Sequence, residues 1–282
     1  MQNTLLWVGA GDIAQRCAAY LPCDTWHRIA LKRHEPAHPG FNHVFNADVT
    51  QPNQLAALPS ASHVVYSVTP NGRTAEAYQA VYEQGLKNLI NAIDQTALQR
   101  FIFISSTSVY GPDPVPQNEF SLLKPTTFSG QAIQAAERYL TEQLGDKLVI
   151  LRFSGLYGPG RTMVFERLTN QTMRINPAMD NYANRIHVDD AARACAHLLQ
   201  HPNPELCYVA TDSTPLPLRQ LYLHSSARLG VPAPVLDAQI PYESKHFCNQ
   251  RLLLSGFTFT YPQTLAGYDA VIDDYLAHWH VG

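Results

Sequence analysis

A glycine motif near the start of the chain limits what it can fold into more than any other feature. The apolar run Leu5-Leu6-Trp7-Val8 leads into Gly9-Ala10-Gly11-Asp12-Ile13-Ala14, a G-x-G-x-x-A pattern, and a helical pattern follows. Strand, tight turn and helix N-terminus in that order are what a dinucleotide pyrophosphate requires. Gly9 permits the sharp turn, Gly11 lets the backbone approach the phosphates, and Ala14 is small enough for helix to pack on strand. The first helical turn then offers unpaired N–H groups and a partial positive charge to an anion. The same residues also suit an ordinary strand-to-helix turn, so the rest of the chain decides.

Composition narrows the class. With 282 residues, 45% of them apolar, the chain has material for one large domain or two intimate ones, at roughly 150 residues per domain. A net charge of −3 gives no basis for nucleic-acid binding or for an anionic membrane surface. No apolar stretch reaches the roughly 20 residues of a membrane span. The first residues show neither a basic segment nor a cleavage site, so they read as a strand and the protein as cytoplasmic. Cys17, Cys23, Cys195, Cys207 and Cys248 are scattered without a C-x-x-C pair, which fits reduced thiols. His34 and His38 are separated by Pro36 and followed by Pro39, which opposes a helix there, and His278 and His280 have no carboxylate pattern beside them. No metal site is expected.

Strand and helix patterns alternate through the first half. Thr4–Val8, Thr25–Leu31, His43–Phe45, His63–Val68, Phe101–Ile104 and Leu148–Phe153 read as strands, and Ile13–Leu21, Thr74–Ala92 and Gln131–Leu144 as helices. Such alternation predicts an α/β fold, a doubly wound parallel sheet of the Rossmann type covered on both faces. After Phe153 the pattern loosens and prolines punctuate it. Gly155–Arg161 reads as loop, Arg185–Val188 and Cys207–Ala210 as strands, and Asp189–Leu199 and Leu218–Leu229 as helices. The expected organisation is a dinucleotide-binding domain over 1–158 and a smaller C-terminal substrate-covering domain over 159–282, interleaved with returning sheet elements.

The second strand ends Leu31-Lys32-Arg33-His34, and no acid precedes Glu35. Folds of this kind that prefer NAD place Asp or Glu there for the ribose 2′-OH. A basic pair suits a 2′-phosphate instead: Arg33 offers a planar fork of donors and Lys32 a point charge. NADP(H) is therefore expected over NAD(H), the alternative being a solvated basic loop.

Four further segments follow in order. They are Phe101-Ile102-Phe103-Ile104-Ser105-Ser106-Thr107-Ser108-Val109-Tyr110-Gly111, then Leu151-Arg152-Phe153-Ser154-Gly155-Leu156-Tyr157-Gly158-Pro159-Gly160-Arg161, then Arg185-Ile186-His187-Val188-Asp189-Asp190, and last Asn249-Gln250-Arg251-Leu252 through Leu254-Ser255-Gly256-Phe257 to Tyr261-Pro262. With the glycine start, the chain resembles the extended short-chain dehydrogenases/reductases, the NAD(P)-dependent epimerase/dehydratase family, in an atypical branch with G-x-G-x-x-A in place of G-x-x-G-x-x-G. The resemblance spans nearly the whole chain. It implies that Asp48 contacts the adenine amino group with Val49 flanking the ring. It places Val68, Thr69 and Pro70 along the adenosine ribose and pyrophosphate, and Ser105, Phe153, Ser154, Gly155 and Leu156 on the cofactor, the last four along the nicotinamide. Gly9, Gly11, Asp12 and Ile13 complete that set, although the Asp12 carboxylate repels phosphate unless it turns away to cap the helix. Family members also pair helices in a homodimer, here Thr74–Ala92 and Gln131–Leu144.

The resemblance further implies chemistry at a carbonyl or hydroxyl of a small molecule, such as a nucleotide sugar, through a Ser or Thr, a Tyr, and a Lys four residues after the Tyr. Ser106 suits the hydroxyl that holds the substrate oxygen, and Thr107 can share that role. The Tyr-x-x-x-Lys pair is absent: aligned on Ala136-Glu137, Ser129 falls at the Tyr position and Ile133 at the Lys position. Tyr110, Tyr157 and His187 are the remaining acid–base candidates, with His187 also a candidate for substrate contact at the domain junction. Each reads equally as a packed or structurally hydrogen-bonded residue. Arg161 and Arg185 are candidates for an anionic substrate group, or else for salt bridges to Asp or Glu. Two readings stand: an NADP(H)-dependent oxidoreductase or epimerase, and a non-catalytic NADP(H)-binding sensor or scaffold.

Overall fold

The computed structural model describes residues 2–33, 39–178 and 181–279. The His34/His38 pair, Glu35, His280 and the His278 side chain lie outside the described residues. The chain divides into two compact units. One comprises Met1–Tyr110, Leu123–Arg152 and Ala192–Tyr208, and the other Gly111–Leu122, Phe153–Ala191 and Val209–Gly282.

The first half alternates as the sequence predicts. β1 (Asn3–Val8) turns into α1 (Asp12–Ala18), and β2 (Trp26–Lys32), β3 (His43–Asn46) and β4 (His63–Tyr66) follow. A helical rod runs from α2 (Ala75–Gln79) through a π turn at Ala80–Gly85 into α3 (Leu86–Ala92), and then come β5 (Arg100–Ser106), α4 (Phe128–Leu144) and β6 (Leu148–Phe153). The second half holds β7 (Gly155–Tyr157), α5 (Met163–Thr169), β8 (Arg174–Ile175), β9 (Tyr182–Ala183), β10 (Arg185–His187) and α6 (Val188–Gln200). β11 (Cys207–Ala210), β12 (Leu216–Pro217), α7 (Leu218–Leu229), β13 (Val235–Leu236), α8 (Gln250–Leu254) and α9 (Thr264–Trp279) complete it. Among the described residues, no helix is long and apolar enough to cross a membrane.

Seven strands form one parallel sheet in the order β11-β6-β5-β4-β1-β2-β3. Every residue of β4, β6 and β11 is buried, as strands covered on both faces require. The chain builds outward from β1 through β2 to β3, then returns to pair β4 with the other edge of β1. That reversal is a topological switch point, and the crevice beyond the strands' carboxyl ends at such a point is where doubly wound folds bind ligands.

Two expectations change. The Thr74–Ala92 segment is helical but not purely α. The Tyr66 hydroxyl on β4 donates to the Val81 carbonyl at 2.7 Å, and a Cβ at Gly85 would come within 2.9 Å of Val49 and 3.1 Å of Tyr66 Oη. The rod widens where a hydroxyl from the sheet enters it, a contact that periodicity does not encode. Gly155–Arg161, expected as loop, begins with β7, which pairs in parallel with β10 so that Gly155 faces Arg185. Within the second unit, Tyr157, Phe165, Leu221, Tyr268 and Ile272 form a buried apolar cluster.

Candidate dinucleotide site

The crevice at the switch point is a pocket of about 630 Å³. β1 brings Gly9 to its lining, β2 brings Lys32 and Arg33, the segment after β3 brings Asp48 and Val49, and the segment after β4 brings Val68 and Thr69. Gly11, Asp12 and Ile13, at the start of α1, and Pro70, after β4, do not line it. The two motif glycines make a cradle. Gly9 has φ +81°, and a Cβ there would meet Val68 Cα and N at 2.7 Å, so side-chain bulk is excluded from the floor. Gly11 caps α1 in extended backbone, and a Cβ there would face open space. A closed floor with an open helix N-terminus fits a pyrophosphate.

Asp12 turns its carboxylate onto Arg16, one helical turn on, at 2.6 Å. One Asp48 oxygen accepts from the Thr50 amide and hydroxyl, both at 2.8 Å, so Asp48 ties its own turn as well as lining the pocket. Sequence reasoning missed Ser67, Ala77, Ala80 and Val81, which also line it. Ser67 accepts from the Trp7 indole at 2.7 Å and donates to the Gly9 carbonyl at 3.1 Å. The small residues Ala77 and Ala80 were the available signal for the helical wall.

Behind the carboxyl end of β5 lies a buried polar network. The Ser105 hydroxyl donates to Glu137 Oε1 at 2.5 Å. Arg152 grips both oxygens of Glu137, Nε to Oε1 at 2.9 Å and Nη2 to Oε2 at 2.6 Å, and its Nη1 donates to the Tyr110 hydroxyl at 2.6 Å. Ser105 is buried and Tyr110 fully so, and both hydroxyls engage an ion pair inside the first unit. Ser106 differs: its Oγ accepts from the Ser108 amide at 3.1 Å and caps a short 3-10 turn, which leaves the hydroxyl proton to donate. Thr107 begins that turn. At the start of α4, Ser129 shares a hydrogen bond with Thr127 at 3.0 Å, and Ile133 is buried, so neither acts as a proton relay.

In the second unit, Tyr157 stacks on Tyr268 with ring centroids 4.6 Å apart and meets the edge of His187 at 5.1 Å. Its hydroxyl is buried without a hydrogen-bond partner among the described residues, pressed against Gly267. Burial, and then the nearby Asp212, Tyr268, Asp190 and Tyr261, hold that phenol far above its ordinary pKa. Tyr157 is buried in the apolar cluster of the second unit, which places its ring and hydroxyl in the core. His187 stacks on Tyr261 at 3.9 Å, and its Nδ1 accepts from the Asp189 amide at 3.2 Å. Asp190 accepts from the amides of Thr260 and Tyr261, each at 2.8 Å. Arg161 lies in the turn closed by its amide on the Gly158 carbonyl at 3.1 Å.

Asp212 is 1% exposed. Its Oδ2 accepts from the Thr264 hydroxyl at 2.5 Å, while Oδ1 has no partner among the described residues. Burial raises its pKa to about 7, against the pull of Thr264, the Thr214 amide and Arg185. A raised carboxyl pKa favours folding below the unfolded value near 4, and that advantage fades as pH rises through about 7, since the unfolded chain ionises first. Relative to Asp212→Asn, wild type is expected to lose roughly 4 kcal/mol of stability between pH 4 and pH 8. Urea unfolding of both proteins across that range checks this, and parallel stability curves refute it.

Comparison with known proteins follows the same lines. The NAD dependent epimerase/dehydratase family matches residues 9–209. Protein YeeZ of Escherichia coli strain K12 is 28% identical over 226 residues, covering 77% of this chain and 78% of its own. The structure of a candidate NAD-dependent epimerase/dehydratase from Methylobacillus flagellatus superposes with a TM-score of 0.83 at 32% identity, covering 98% of this chain and all of that one. UDP-glucose 4-epimerase of Thermotoga maritima, solved with UDP-glucose, shares the fold at a TM-score of 0.80 and 16% identity, covering 98% of this chain and 99% of that one. With most of its length matched and its glycine cradle intact, the chain belongs to the NAD dependent epimerase/dehydratase family.

Proposed function

We propose that this protein is an NADP(H)-dependent oxidoreductase or epimerase acting on a carbonyl or hydroxyl of a small molecule, with nucleotide sugars among the candidates. One observation carries the reading: a basic pair, Lys32 and Arg33, lines a pocket floored by Gly9. The UDP-glucose bound by the Thermotoga enzyme supports the substrate class. A nicotinamide, when bound, supplies the hydride donor or acceptor. The chain's residues bind and orient. Arg33 and Lys32 hold the 2′-phosphate. Ser106 holds the substrate oxygen through a hydrogen bond donated by its hydroxyl. Phe153, Ser154, Gly155 and Leu156 keep the nicotinamide-side role that the resemblance gives them.

Ser129 and Ile133 in place of Tyr and Lys favour a second reading, a non-catalytic NADP(H) sensor. Deuteride transfer from 4-deuterated NADPH into a metabolite extract tests the reductase: label in a product supports the enzyme, whereas bound NADPH that is never consumed supports the sensor or an epimerase that returns its hydride to the same molecule. In either case NADPH is expected to bind more tightly than NADH. Arg33→Ala should weaken NADPH roughly 10-fold or more and leave NADH unchanged, as the loss of a charged hydrogen-bond donor to phosphate implies. Tighter binding of NADH by the wild type defeats the cofactor assignment.

A further inference from the structure

We propose that Arg185 is the receptor for a carboxylate on the ligand, an inference that rests on the function proposed above and narrows its substrate class. Arg185 opens β10 opposite Gly155 of β7. Its guanidinium lies over the Gly155 backbone, where a Cβ would come within 2.6 Å of Nη1. Gly155 is itself exposed, and Arg185 is half-buried. Two neutral groups hold the fork: the Tyr268 hydroxyl accepts from Nε at 3.2 Å, and the Asn184 carbonyl accepts from Nη1 at 3.1 Å. Nη2 has no acceptor among the described residues, and no carboxylate among them pairs with this charge. Asp212 feels the Arg185 charge, yet it commits Oδ2 to Thr264 and forms no pair with the guanidinium.

A guanidinium withdrawn from water, hydrogen-bonded only to neutral groups and reached by Asp212 only through space, lacks the directly paired anion that normally stabilises it. The fork is nevertheless fixed from two sides, so its open edge has a defined direction. That edge, Nη2 with the second N–H of Nη1, presents parallel donors that match the two oxygens of a carboxylate. A terminal phosphate monoester, at about −1.5 to −2, calls for more positive charge than one guanidinium supplies. The groups around Arg185 are Tyr268, Tyr222, Asn184 and Asp212, and none is a cation. The chemistry therefore favours a monoanionic, planar group.

Calorimetric titration of the full-length protein with matched probes tests this. Glucuronate, lactate and malonate are compared with glucose and propanediol as neutral partners and with inorganic phosphate, and NADPH is titrated in parallel. At least one carboxylate is expected to bind at millimolar concentration where its neutral partner does not. Arg185→Met should weaken that carboxylate roughly 30-fold while leaving NADPH affinity unchanged. Tyr268→Phe removes the acceptor on Nε, keeps the ring that stacks on Tyr157, and should weaken the same carboxylate several-fold; this variant decides the matter if Arg185→Met does not fold. The proposal is overturned if no carboxylate outbinds its neutral partner, if the variants bind it as well as wild type, or if phosphate outbinds every carboxylate. Wild-type protein that fails to bind NADPH refutes the proposed function instead, and the carboxylate panel still reads Arg185 directly.

Discussion

Gly9→Ala is expected to unseat both the fold at the switch point and the dinucleotide. The backbone sits at φ +81°, a region that costs a non-glycine residue about 1–3 kcal/mol. The added Cβ would also lie 2.7 Å from Val68 Cα and N and 2.9 Å from the Ser67 carbonyl carbon. These are backbone atoms of the neighbouring strand connection, and they have no rotamer through which to yield. The β1 and β4 ends must therefore move apart, and they carry Val68, Thr69 and the Ser67 hydroxyl that holds the Gly9 carbonyl. A loss of about 3 kcal/mol lowers Tm by roughly 6–12 °C in a chain of this size, and NADPH affinity should fall on the order of 100-fold. Gly11→Ala is the informative partner. A Cβ there meets nothing within 4 Å, and the backbone is extended, so the protein should melt as wild type does. Any weakening of NADPH by Gly11→Ala then reports crowding of the ligand itself. Calorimetric melting and NADPH titration of both variants suffice, and a Gly9→Ala protein that melts and binds like wild type would mean that the floor is not built as described.

That the two motif glycines do different work could be anticipated from the pattern, because G-x-G-x-x-A fixes the order of strand, turn and helix. The long alternating elements were legible for the same reason: a fully buried strand such as β6 and an amphipathic helix such as α4 repeat one physical signal over many residues. Legibility failed where a few residues or a distant contact decide the outcome. β7 is three residues long and exists because β10 pairs with it. The π turn depends on Tyr66, which lies on a different element from the helix it enters. α9 has a weak amphipathic signal, since its core face mixes Tyr268, Val271 and Ile272 with a glycine fitted against Tyr157. In the candidate site, Lys32 and Arg33 could be read because strand ends converge by topology. The engagement of the Ser105 and Tyr110 hydroxyls could not, because their partners are Glu137 and Arg152, far away in sequence.

Those partners set the second large effect. Arg152 and Glu137 have side chains only 6% and 5% exposed, joined by two parallel hydrogen bonds. Desolvating two charges absorbs most of what their attraction returns, so the pair adds little net stability over an apolar replacement. Removing one member is a different matter, because it leaves the other ionised and unpaired in the core. Glu137→Leu is expected to cost about 3–5 kcal/mol, and Arg152→Met a similar amount. Burial disfavours the Arg152 charge and Glu137 restores it, so the Glu137→Leu protein has no other carboxylate in this network to hold that guanidinium. The double variant Glu137→Leu/Arg152→Met should be more stable than either single one, a coupling that independent sites do not show. Retaining the pair instead serves position: Glu137 on α4 and Arg152 on β6 hold the Ser105 hydroxyl, and Ser105 immediately precedes Ser106, the proposed substrate-oxygen ligand. The double variant should therefore fold yet bind substrate with a poorer fit, lowering turnover while NADPH affinity stays intact. Denaturant unfolding of the four proteins tests the energetics, and additive losses, or single variants that cost less than about 1 kcal/mol, contradict the assignment of an isolated buried charge.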